Sequence, residues 1–84
     1  MNAADTIQLT LISPVQKVDY EVVWIEVNTP NGNYIIQPQH APTTFILAAH
    51  KPLIFCFLTG KQETFTPEKN GLLQITRKKA IALI

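Results

Sequence analysis

Glycine, cysteine, serine and charge are all scarce in this sequence, and each scarcity removes a class of function. Three glycines occur in 84 residues, isolated at Gly32, Gly60 and Gly71. No phosphate-cradling loop can be built from them, because such loops gather several backbone N–H groups around closely spaced glycines. Cys56 is the single cysteine. It cannot close an internal disulfide, and within the apolar run 53–58 it reads as a small core hydrophobe in a reducing compartment. Ser13 is the single serine, placed before Pro14. That is turn chemistry, without the strand–elbow–helix setting of a nucleophile.

Charged residues make up 15% of the chain and the net charge is +1, against a usual charged share of about 25%. A balance so close to neutral gives no field for nucleic acid or acidic lipid. With 46% hydrophobic residues the chain is not disordered either. A surface this poor in charge points to partial cover by a partner. Long apolar runs are also missing. Nothing approaches the roughly 20 residues of a membrane-spanning helix, and Met1 to Asp5 has neither the basic nor the apolar region of a secretory signal. We expect a soluble protein, held at a membrane at most through its partners and not inserted directly.

The residues that do chemistry elsewhere are dispersed here. Asp5, Asp19, Glu21, Glu26, Glu63 and Glu68 form no evident acid–base pair. His40 and His50 have no cysteine or carboxylate at ligand spacing, so no zinc site is expected. Arg77-Lys78-Lys79 is the one basic cluster. Without an aromatic platform it reads as solubility at a hairpin tip, not nucleic-acid binding. No catalytic residue, cofactor site or metal site is expected, and the protein is read as a non-enzyme.

What the sequence has is turns and short apolar segments. Six prolines, each removing a backbone donor, argue against long helices. Turn signals fall at 13–14, 29–33, 38, 41–42, 51–52, 59–61, 66–67 and 70–71. Between them, Ile7, Leu9 and Leu11 share one face of a strand. Val18, Tyr20 and Val22 share another, and then Val23, Ile25 and Val27 take over with Trp24 and Glu26 opposite. That change of phase predicts a bulge or a strand changing layer. Tyr34 to Ile36 is a short strand. Thr43 to His50 reads as extended because of its threonine pair and β-branched residue, over one or two helical turns. Leu53 to Leu58 is expected to be covered on both faces, with 62–66 as its hairpin partner. Segments 72–76 and 80–84 form a last hairpin with the basic tip between them. Residues 1–84 are expected to form a single all-β domain, a flattened β-sandwich or barrel. Trp24 is a candidate protein contact, as tryptophan is enriched at interface centres; filling of the second layer is the other reading.

The middle of the chain is more specific. Pro30-Asn31-Gly32-Asn33-Tyr34-Ile35-Ile36-Gln37-Pro38-Gln39-His40-Ala41-Pro42 resembles the signature of the epsilon subunit of F-type ATP synthases, in which a Gly-containing turn and a short strand lead into a Pro-x-His-Ala-Pro loop. Leu9 to Pro14 is similar to the family's opening strand, and Gly71 to Leu83 to its closing hairpin. Ile35 stands where the family usually has a second glycine, Asn33 stands where an acidic residue is common, and Gly71 stands alone where the family often has a double glycine. It also continues into two helices beyond the position of Ile84, so the inhibitory and ATP-binding roles of those helices are not carried over. The resemblance implies a sandwich of about ten short strands in the rotor stalk, on the cytoplasmic face of the inner membrane or the equivalent organelle membrane. One surface would grip the gamma subunit. The rim carrying Asn31, Gly32, Asn33, His40, Ala41 and Pro42 would rest on the ring of membrane c subunits. A free-standing epsilon-like binding module, no longer part of a rotor, is the alternative.

Overall fold

The computed structural model describes residues 5–84; the reading of Met1 to Ala4 as free of a secretory signal lies outside them. Eight strands follow one another without an intervening helix among the described residues: β1 (Ile7–Ile12), β2 (Lys17–Thr29), β3 (Gly32–Ile36), β4 (Thr43–Leu47), β5 (Leu53–Phe57), β6 (Gln62–Phe65), β7 (Gly71–Ile75) and β8 (Lys79–Leu83). The expected sandwich or barrel is present, as one sheet curled on itself in the order β4-β7-β8-β1-β2-β5-β6, with β3 added to β2.

The number of strands is eight and not about ten. Val18–Val22 and Val23–Val27 belong to one strand of 13 residues. Register explains both the merger and the change of phase. Val22 opposes Phe57, yet Trp24 opposes Cys56, so Val23 is an extra residue without a counterpart on β5. Such a bulge bends the strand and sharpens its twist. Before it Val18, Tyr20 and Val22 turn inward; after it Ile25, Val27 and Thr29 do, with Val22, Ile25 and Val27 fully buried. The first half of β2 pairs with β1 and the second half with β3. One strand thereby serves both layers, and the molecule is flattened to 42 × 27 × 19 Å.

Every pairing is antiparallel except that of β1 with β8. Their contact positions suit close layers. Leu9 and Leu11 point inward on β1, and Ala80 and Ala82 point inward on β8. The small alanines leave room for Phe55, Leu73 and Ile75, all essentially without solvent contact. Tyr20, Phe55 and Phe57 pack as an aromatic trio with centroids 5.0–5.9 Å apart, in the tilted and edge-on geometries that aromatic quadrupoles favour.

Cys56 is buried as expected. Leu58 is not: it lies past the end of β5 and is 62% exposed, so cover on both faces stops at Phe57. Thr43 to Leu47 is strand, and a turn follows at Ala49-His50. No helix among the described residues is long and apolar enough to cross a membrane.

Candidate functional site

The turn between β2 and β3 is built around one hydroxyl. Thr29 pairs with Gly32, leaving Pro30 and Asn31 as the two turn residues. Thr29 Oγ1 accepts a hydrogen bond from the Asn31 backbone N–H at 3.1 Å and donates to the Gly32 carbonyl at 2.9 Å. Gly32 has φ +155°, a conformation that side-chain-bearing residues rarely adopt. Asn31, Gly32 and Asn33 are all exposed.

Asn33 is the head of a ladder on the outer face. Its Nδ2 donates to Glu26 Oε2 and to Asn28 Oδ1, both at 3.0 Å. Asn28 Nδ2 donates in turn to the Pro52 carbonyl at 2.7 Å. The ladder links β3, β2 and the approach to β5, and brings the Glu26 carboxylate to the rim beside Asn33. Sequence reasoning missed Glu26 as a site residue. Its signal was its place opposite Ile25, two positions from Asn28 on the outward side of the strand.

The second part of the rim is the loop between β3 and β4. His40 Nδ1 donates to the Ala41 carbonyl at 2.7 Å, and Thr43 Oγ1 donates to the same oxygen at 2.9 Å. Since the carbonyl can only accept, the proton sits on Nδ1 and Nε2 is left unengaged in the neutral ring. Gln39, with φ +69°, donates its N–H to the Arg77 carbonyl at 2.8 Å. The loop is therefore tied to the tip of the β7–β8 hairpin, where Arg77 and Lys78 form the turn.

A line of rings joins the two parts. His40 lies 6.4 Å from Phe45, and Phe45 lies 5.2 Å from Tyr34, centroid to centroid. Tyr34, Phe45 and Asn31 in turn line an open hollow of about 320 Å³ beside the β2–β3 turn. The structure thus brings Asn31, Gly32 and His40 onto one continuous rim, floored by Tyr34 and Phe45, two residues that sequence reasoning did not single out. Ala41 and Pro42 are exposed next to His40. Trp24 lies elsewhere, half-buried on the outer face of β2 and paired in register with Cys56.

The outer face of the other half of the sheet also carries apolar side chains. Ile46, Leu72 and Leu83 are cross-strand neighbours on β4, β7 and β8, each between 45% and 50% exposed. Among the described residues no three His, Cys, Asp or Glu side chains cluster as metal ligands would.

No family model matches the chain, and no curated protein does. Solved structures do. A chain of the Euglena gracilis mitochondrial ATP synthase, in a structure that includes the c-ring, matches with a TM-score of 0.84 over 99% of this chain at 20% identity. A chain from the central stalk and c-ring of the Tetrahymena thermophila mitochondrial ATP synthase matches with a TM-score of 0.69 over 98% of this chain at 15% identity. The protein shares their fold. It spans 52% of the length of the first and 65% of the second.

Proposed function

We propose that residues 1–84 form a single domain acting as a non-catalytic, epsilon-type subunit in the rotor of an F-type ATP synthase. In that role it couples the gamma subunit to the c-ring and stays peripheral to the membrane, on its cytoplasmic face or the equivalent organelle face. The observation that carries the reading is the conjunction of two independent facts. The fold matches a chain of an ATP synthase structure over 99% of this chain, and the Pro38-Gln39-His40-Ala41-Pro42 motif forms a rim, exposed at Gln39, Ala41 and Pro42 and half-buried at Pro38 and His40, that is pinned from both sides.

The physics suits the task. A rotor part must transmit torque without deforming, and a close-packed pair of layers yields little. A rim already fixed by Pro38, Pro42 and three hydrogen bonds loses little conformational freedom on docking. Asn31 and His40 offer donors and acceptors there, while Asn33, hydrogen-bonded to the Glu26 carboxylate, presents polar groups on the adjoining outer face.

Capture with the cognate gamma subunit is the test. Binding at roughly micromolar concentration is expected, about 8 kcal/mol of association free energy. A folded domain that captures neither gamma nor c-ring at that concentration would remove it from the rotor and leave a free-standing binding module.

A further inference from the structure

The geometry points to Asn31 as a self-modification site, where the Asn31-Gly32 step deamidates in the folded protein while the Asn70-Gly71 step does not. Both steps share the sequence that favours the reaction. Asparagine is among the thermolabile residues, and a following glycine has no Cβ to obstruct the approach of its nitrogen to the asparagine side chain. Sequence alone does not separate the two steps. The structure does.

At the first step, Asn31 is the second residue of a two-residue turn and Gly32 opens β3, both exposed. The Asn31 side-chain amide has no hydrogen-bond partner among the described residues, its backbone N–H alone being held, by Thr29. Beyond its chain neighbours, a Cβ built at Gly32 would find nothing nearer than the Tyr34 hydroxyl at 3.8 Å. At the second step, Asn70 Oδ1 is held by the Ala49 N–H at 2.8 Å. Gly71 opens β7 against the backbone of β8, where an added Cβ would lie 2.5 Å from the Leu83 carbonyl. Gly32 thus lies in open surroundings after an Asn31 side chain that no described residue holds, whereas Gly71 is packed against β8 after an Asn70 side chain that is tied down.

The reaction needs water and no other reagent. The Gly32 backbone nitrogen attacks Asn31 Cγ, giving up its proton as the new N–Cγ bond closes a succinimide. The Cγ–Nδ2 bond breaks and the amide nitrogen leaves as ammonia. Water then opens the ring at one carbonyl or the other, giving aspartate or an isoaspartyl link. Aspartate places a new negative charge on the rim. The isoaspartyl product lengthens the backbone inside a two-residue turn, which the pairing of Thr29 with Gly32 cannot absorb without a change of register.

The test is incubation of the full chain in warm, mildly alkaline buffer, followed by peptide mapping and enzymatic labelling of isoaspartate. Folded protein is expected to convert at Asn31 at least several-fold faster than at Asn70. The same protein in urea is expected to convert at both. The variant Asn31→Gln, which retains an amide and forms the larger ring far more slowly, is expected to lose the fast conversion with its urea midpoint unchanged. An Asn31 that stays intact in the folded protein, or an Asn70 that keeps pace with it, overturns the assignment.

Discussion

Thr29 shows how much one side chain can decide. It is one of two buried polar residues among those described, and its hydroxyl both accepts from Asn31 and donates to Gly32. Valine has nearly the same shape and neither bond. Thr29→Val therefore removes the knot without opening a cavity, at a cost of about 1–2 kcal/mol for two bonds of ordinary strength. A lower urea midpoint with an unchanged slope is the expected reading; an unmoved midpoint would mean the turn is held by strand pairing alone. Trp24 tests the opposite kind of residue. It sits half-buried on the outer face and outside the core cluster. Trp24→Ala should lower partner capture roughly tenfold or more, as loss of an interface anchor does, with the far-ultraviolet spectrum intact. Collapse of the fold would instead place its weight in the second layer.

Among the elements, β2 was the most legible in the sequence, and β8 was legible as the second strand of the last hairpin but not as the partner of β1. The apolar phase of β2 jumps from even to odd positions, and only an inserted residue or a change of layer can do that; the structure has both at Val23. The His40 loop was legible for another reason, since its motif is short and ordered by prolines. Its anchorage to Arg77 was not, because a backbone bond between segments far apart leaves no trace in residue type. The same holds for the Glu26–Asn33 ladder and for the parallel pairing of β8 with β1. Alternation shows which face of β8 is buried and not which strand it joins. Where β8 meets β7, Gly71 has the backbone of Leu83 so close that a methyl group has no place to go. Gly71→Ala must push the two strands apart, and overpacking of this kind costs about 1–3 kcal/mol. A drop in thermal midpoint with ring contacts at Tyr34 and Phe45 unchanged by NMR would localise the damage to that hairpin. A midpoint at or above that of the parent would show that the strands separate freely there.

For the whole molecule, the consequence of this topology is that the last strand closes the fold. β8 lies between β7 and β1, so the strand ladder reaches the β4–β7 pair through it, while the end of β4 also meets β2 where the Ala48 N–H donates to the Asn28 carbonyl at 2.9 Å. Its inward Ala80 and Ala82 sit in the same core as Leu9, Leu11, Leu73 and Ile75. Without β8 those four large side chains meet water on one side, and two strands gain open edges of the sort that seed association. β8 pairs with β1 across six intervening strands, so a large loop-closure cost precedes that contact and folding is expected to be slow, in the millisecond-to-second range of non-local β topologies. A chain ending at Arg77 should therefore lack a cooperative urea transition and the near-ultraviolet signal of the Tyr20–Phe55–Phe57 cluster. It should also form larger species on size exclusion. Retention of the full-length midpoint by that shortened chain would show that the core closes without its central strand, and the rigidity on which the proposed rotor role depends would have to come from β2 alone.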